Sequence, residues 1–290
     1  MPYAPRKRTP VAAGLPVFPW DTLAEVRDLA ARHPDGIVDL SVGTPVDNVD
    51  PFIQSALEGA AEVPGYPQTI GTEDVRQACA HALTRRYGTI DLDPATQVLP
   101  VIGTKELIAW LPTLLGLGEK HTVVIPEIAY PTYEVGALLA GCSVVRADGT
   151  AQVGPLAPTL MYLNTPSNPT GKVLPVEHLR KIVDWARERG VIIASDECYL
   201  GLCWEGTAPS ILDPEVCGGD TRNLLAIHSL SKTSNMASYR SGFVVGDPEL
   251  VGELLAVRKH AGLMMPTVVQ HASVAALRDD RHAGEQYDRC

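Results

Sequence analysis

Along this chain, short uninterrupted apolar runs alternate with longer stretches in which apolar residues recur every three or four positions. That pattern predicts buried strands separated by amphipathic helices, the signature of an α/β fold with a mostly parallel sheet. The runs fall at 98–102, 122–125, 142–146, 160–163, 191–194, 224–227 and 243–245, with a shorter one at 37–42. Helical spacing places Val75, Ala78, Cys79, Ala82 and Leu83 on one face behind a Thr72 cap, and Leu107, Ile108, Leu111, Leu114 and Leu115 on another. Further helices are expected over 176–188, 248–259 and 267–277. Near the start, Leu23, Val26, Leu29 and Ala30 predict a helix capped by Asp21, preceded by a proline-rich extended arm over residues 1–20.

In open α/β sheets, chemistry collects at the carboxyl ends of the strands, and several ends here carry unusual residues. Gly43 follows the first run and permits close backbone approach or an ordinary tight turn. Gly103-Thr104-Lys105-Glu106 joins a strand to a helix start, an arrangement that aims backbone N–H groups at an anion, although many such turns hold none. Tyr130 is bracketed by prolines and presents a stiffly placed ring. Asn168 lies in a segment, Asn164 to Gly171, with two proline corners. Asp196 ends a buried run, where a carboxylate needs a cationic or hydrogen-bonding partner or else acts as a helix cap. Lys232 stands among the hydroxyls of Ser229, Ser231, Thr233 and Ser234, with Arg240 downstream; an amine nucleophile, hydroxyl donors and a fixed cation suit an aldehyde that carries a phosphate.

Composition narrows the alternatives. A chain of 290 residues, 45% hydrophobic and 20% charged, builds one large domain or one plus part of a second. The net charge of −10 argues against nonspecific nucleic-acid binding, and Arg6, Lys7 and Arg8 are too short a basic cluster to reverse it. The N-terminus lacks the apolar core of a secretory signal, and no run reaches membrane-spanning length. Six cysteines and eight histidines show no metal-ligand spacing, so reduced thiols in a cytoplasm are expected, and His228 reads as a core histidine. Ser229 to Lys232 also fits an SxxK acyl-transfer pattern, but its SDN and KTG companions are missing.

Taken in order, YPxxxG (66–71), GTKE (103–106), PxxxYPxY (126–133), NxPSNPTG (164–171), SDExY (195–199) and SLSK with Arg240 (229–242) resemble the class I/II aminotransferases. These are pyridoxal-phosphate enzymes of fold type I. The stretches GLPVFPWDTL, VLPVIGTKELIAWLPTLLGLG and LLAVRKHAGLMMPT are most similar to the actinobacterial succinyldiaminopimelate transaminases. The resemblance implies transamination of N-succinyl-L,L-2,6-diaminopimelate with 2-oxoglutarate, in lysine biosynthesis. Other implied readings are another amino-acid transaminase, a C–S lyase, or a noncatalytic cofactor-binding fragment.

Carried over by position, the resemblance makes Lys232 the residue that joins the cofactor and then moves the substrate proton. It implies that Asp196 pairs with the pyridine nitrogen, that Asn168 and Tyr199 bond the phenolic oxygen, and that Tyr130 stacks on the ring. Backbone N–H groups of Thr104 and Lys105, with Ser229 and Arg240, are implied to hold the phosphate. Tyr66 is implied to reach the phosphate of a neighbouring subunit in a homodimer, and Gly43 to lie against substrate. The domain expectation is an arm and helix over 1–45, a cofactor-binding large domain over 46–280, and over 281–290 the start of a helix leading to a small domain. In the family that small domain supplies the arginine for the substrate carboxylate, and no arginine here is assigned that role.

Overall fold

A computed structural model describes residues 9–289, which divide into two compact units between Pro45 and Val46. In the first unit, 3-10 turns at Val11–Gly14 and Pro19–Leu23 precede helix α1, Ala24–Ala30. Asp21 does not cap this helix but sits inside the second 3-10 turn, which Pro19 opens; proline has no N–H to satisfy and a φ already suited to a helix start. Residues 37–42 do not form the expected strand. Asp39 accepts hydrogen bonds from the Ser41 backbone N–H (2.9 Å) and hydroxyl (2.6 Å), local bonds that compete with a ladder. Among the described residues, no strand pairs with this segment.

The second unit opens with α2 (Pro51–Gly59) and α3 (Glu73–Tyr87), the latter capped as expected by Thr72, whose hydroxyl accepts from the Val75 N–H. The βα alternation follows as β1 (Val98–Val101), α4 (Thr104–Leu114), β2 (Thr122–Ile125), α5 (Thr132–Leu139), β3 (Ser143–Arg146), α6 (Thr150–Val153), β4 (Leu160–Asn164) and α7 (Val176–Arg189). It continues with β5 (Ile192–Asp196), α8 (Pro214–Cys217), β6 (Leu224–Ser229), the one-turn α9 (Leu230–Thr233), β7 (Gly242–Gly246), α10 (Pro248–Ala261), α11 (Thr267–Arg278) and α12 (Arg281–Arg289). The seven strands form one sheet in the order β1-β7-β6-β5-β4-β2-β3, parallel except for both pairings of β7.

Alternation along the strands feeds two cores. Val124, Met161, Ile193 and Ala226 face the side covered by α3, α7 and α11, while Val123, Leu160, Ala194 and Leu225 face α4, α5 and α10. Burying each large side chain contributes about 1.5–3 kcal/mol, so the central strands are the most firmly held part of the unit. Their register brings the polar strand ends level: Asn164 pairs with Asp196, Asp196 with Ile227, and Ser229 with Gly242. Strands β5 and β6 each run two residues past their apolar stretches, so Asp196 and Ser229 belong to the ladder itself. Among the described residues, no helix is long and apolar enough to cross a membrane.

Candidate active site

The carboxyl ends of β4, β5 and β6 carry the candidate chemistry. At the end of β5, Asp196 is 5% exposed, and burial raises its carboxyl above the ordinary value of 3.8. The Tyr133 hydroxyl donates to one carboxylate oxygen at 2.7 Å and the Cys198 backbone N–H to the other at 3.2 Å. Among the described residues Asp196 has no cationic partner, so its desolvation is offset by hydrogen bonds alone. The half-exposed or helix-capping alternatives do not hold. Tyr133 itself is wholly buried, stacked on Tyr162 with centroids 4.8 Å apart and edge-on to Tyr130 at 5.7 Å, so its hydroxyl is fixed in place.

On β4, Asn164 spends both ends of its amide on the same locus. Its Nδ2 donates to the Asp196 carbonyl at 3.0 Å, and its Oδ1 accepts the Asn168 N–H at 2.7 Å. Asn164 is thus a positioning residue for Asn168 and for the end of β5. Beyond β6, the Ser229 hydroxyl caps α9 by accepting from the Ser231 N–H at 3.1 Å; its own proton is left to donate. That one-turn helix carries Lys232, which is half-buried, with Nζ 5.9 Å from the centroid of the Tyr199 ring. Burial lowers the lysine's affinity for its proton, and burial raises the Tyr199 hydroxyl to about 12. Tyr130 is also half-buried and shifted upward, by burial first and then by Asp196 and Cys198.

An anion cradle adjoins this cluster. Gly103 precedes α4 with φ of +86°, and a Cβ built on it would stand 2.2 Å from Nη2 of Arg240. Gly242, paired with Ser229, lies against Thr104, where an added Cβ would be 3.3 Å from the Thr104 nitrogen. The Arg240 guanidinium thus packs onto Gly103 at the N–H end of α4, and Gly242, the ladder partner of Ser229, lets the start of α4 approach the end of β6. Lys105 is exposed on the first turn of α4, consistent with a backbone contribution only. Gly103→Ala is expected to displace Arg240 and to weaken binding of a phosphorylated ligand by about tenfold or more, measured by titration; unchanged affinity would remove Gly103 from the cradle.

One expected site residue stands apart within its unit. Tyr66 is 97% exposed in the loop before α3, outside the cluster. Gly43 belongs to the first unit and is exposed there. The structure adds residues that the sequence did not single out: Tyr133, Asn164, Cys198, whose thiol donates to the Thr104 hydroxyl at 3.4 Å, and Glu197. Glu197 accepts from Ser195, Ser210 and the Ile211 N–H at 2.7–3.0 Å. Its carboxylate also lies 3.4 Å from Nε2 of His228, which is sandwiched between Tyr87 and Phe243. His228 is a core histidine, as expected.

Burial pushes Glu197 up from 4.5 to about 7 and His228 down from 6.5 to about 3. The folded state therefore gains a proton on Glu197 that the unfolded state lacks between pH 7 and 4.5, and refuses one on His228 that the unfolded state takes between pH 6.5 and 3. The two contributions oppose each other. In Glu197→Gln only the histidine contribution remains, so stability relative to the parent is expected to fall as pH drops from about 7 to 4.5, where the parent gains from protonating Glu197. Parallel pH curves of melting temperature would contradict this.

The arrangement fits pyridoxal phosphate on the structure's own terms: a glycine-lined anion cradle, a buried carboxylate with hydrogen bonds but no cation among the described residues, a half-buried amine, and a flat tyrosine face. Among the described residues no cluster of His, Cys, Asp or Glu is arranged to hold a metal ion. The sequence profile of the family described as aminotransferase class I and II matches residues 35–289. The chain is 64% identical over 279 residues to a probable aminotransferase, Rv1178, of Mycobacterium tuberculosis, covering 96% of this chain and 66% of that protein. It is 50% identical to OxyQ of Streptomyces rimosus, a 4-dedimethylamino-4-oxo-anhydrotetracycline transaminase, covering 95% of this chain and 76% of that protein. A solved structure from Thermus thermophilus, a probable N-succinyldiaminopimelate aminotransferase, superposes with a TM-score of 0.83 at 26% identity, over 92% of this chain and 75% of that one. The chain thus spans just under two thirds of the length of its Mycobacterium relative.

Proposed function

Because the chain belongs to the aminotransferase class I and II family, whose enzymes depend on pyridoxal phosphate, we propose that it transfers amino groups between an amino acid and a 2-oxo acid. The observation that carries this reading is the buried, cation-free carboxylate of Asp196 on the strand beside the one that delivers Lys232. When bound, pyridoxal phosphate supplies an electron sink for the charge left by removal of a proton from the substrate's α carbon. The chain's own residues do the rest. Arg240, the start of α4 and Ser229 would bind the phosphate; Asp196, held by Tyr133 and the Cys198 N–H, would keep the ring nitrogen protonated; Tyr130 would cover the ring, while Asn168 and Tyr199 would hold its phenolic oxygen. Lys232, its proton loosened by burial, would be the amine that holds the cofactor and the group that takes up and returns the substrate's α proton.

For the substrate, the reading is an N-acylated diamino dicarboxylic acid, N-succinyl-L,L-2,6-diaminopimelate, with 2-oxoglutarate as acceptor. Its support is the sequence resemblance over GLPVFPWDTL and the Thermus neighbour that carries that name. Tyr66, with its ring in solvent, suits completion of a second subunit's site in a homodimer. The test is a panel in which the loaded protein meets glutamate, succinyldiaminopimelate, L,L-diaminopimelate and the OxyQ type of oxo-tetracycline, with oxo-acid product measured for each. Succinyldiaminopimelate is expected to turn over fastest. Turnover of glutamate with a different partner would keep the transaminase and discard that substrate; ammonia and thiol release from a thioether amino acid would make it a C–S lyase, and no product from any donor would leave a cofactor-binding fragment.

A further inference from the structure

Arg258 is the largest fully buried side chain of the unit, and it lies in the last turn of α10, 152 positions from Glu106 in the Gly103 turn it bears on. Its Nη1 and Nη2 donate to the two oxygens of Glu106, both at 3.0 Å, while its Nε has no acceptor among the described residues. Burying a guanidinium is costly, and a buried ion pair is a weak route to stability compared with an apolar pair of the same shape. The pair's location suggests what the cost secures. Glu106 is the third residue of α4, and Gly103, which precedes the helix, offers no side-chain cap.

The Gly103 N–H that a carboxylate at that position would ordinarily take already donates to the Val101 carbonyl at 2.8 Å, which leaves the unbonded N–H groups of the first turn as the donors such a carboxylate would meet. Here those are the donors of the anion cradle, beside the Arg240 guanidinium. A free Glu106 carboxylate would both occupy them and repel a phosphate. We propose that Arg258 is a positioning residue for the phosphate: by holding both Glu106 oxygens it keeps the N-terminus of α4 open to the dianion and cancels that carboxylate's negative charge.

This rests on the cofactor reading above, and the test separates the two. Affinities for pyridoxal phosphate and for pyridoxal, which lacks the phosphate, are measured by fluorescence titration of the intact chain, Arg258→Met, Glu106→Ala and the double variant. Arg258→Met is expected to lose about tenfold for the phosphorylated ligand only. The double variant, with neither charge, is expected to return to within about twofold of the parent, since the two residues act through one another. Glu106→Ala is expected to bind at least as tightly as the parent, which keeps the proposal testable if Arg258→Met does not fold. Equal losses for both ligands, a double variant as weak as Arg258→Met, or weakened phosphate-ligand binding in Glu106→Ala would each overturn it. A parent chain that binds no pyridoxal phosphate would instead remove the cofactor reading.

Discussion

Lys232→Ala is expected to lose turnover by about 10⁴-fold, the upper range for removal of a positioned proton carrier, while still binding pyridoxal phosphate with reduced affinity. Binding survives because the cradle of Gly103, Arg240 and Ser229 and the carboxylate of Asp196 are built without the lysine. The two effects are measured separately, by single-turnover kinetics with glutamate and by cofactor titration. Partial restoration by an added primary amine is the further sign that a proton carrier, and not the fold, was lost. Activity within a few fold of the parent would place the chemistry elsewhere.

Asp196→Asn is expected to lower turnover by about 10²–10³-fold and to stabilise the protein without cofactor. The first follows from losing the charge proposed to keep the ring nitrogen protonated. The second follows from linkage. Asp196 binds its proton more tightly in the fold than its ordinary value of 3.8, so the folded state loses stability as pH rises from 3.8 through the raised value, and that cost persists at neutral pH. Asparagine carries no such charge, and its carbonyl still accepts from Tyr133. Melting curves of the cofactor-free variant at pH 8 are therefore expected to lie above those of the parent, with the order reversed when pyridoxal phosphate is present. A variant both less stable and less active would make Asp196 a structural residue. The opposition of stability and function at one carboxylate is the pattern of a site preorganised for a charge that arrives with its ligand.

How much of this was readable beforehand depended on distance along the chain. Lys232, Ser229 and Arg240 lie within one short segment behind an apolar run, so strand and chemistry are read together. The Gly103 turn likewise announces itself as strand, glycine and helix start. Tyr133 did not declare its role, because its bond to Asp196 spans 63 positions and exists only once α5 lies against the sheet. Arg258 and Glu106 are 152 positions apart, and an arginine in a helix's last turn reads as a surface residue favouring the dipole. Glu197, within the SDExY motif, carries no signal of its own in the sequence, because its partners Ser210 and the Ile211 N–H lie 13 and 14 positions on and meet it only in the fold. The error at residues 37–42 has the opposite origin: the apolar pattern is local, but a strand requires a neighbour, and Asp39 satisfied the backbone locally. Asp21 failed as a cap because Pro19 had already started the turn.

The most direct test of the central claim is chemical. The protein is loaded with pyridoxal phosphate, reduced with borohydride, digested, and the modified peptide sequenced by mass spectrometry. The account predicts one phosphopyridoxyl group per chain, on Lys232. Label on Lys105 or another lysine in place of Lys232, or none on a chain shown by its melting curve to be folded, would contradict it.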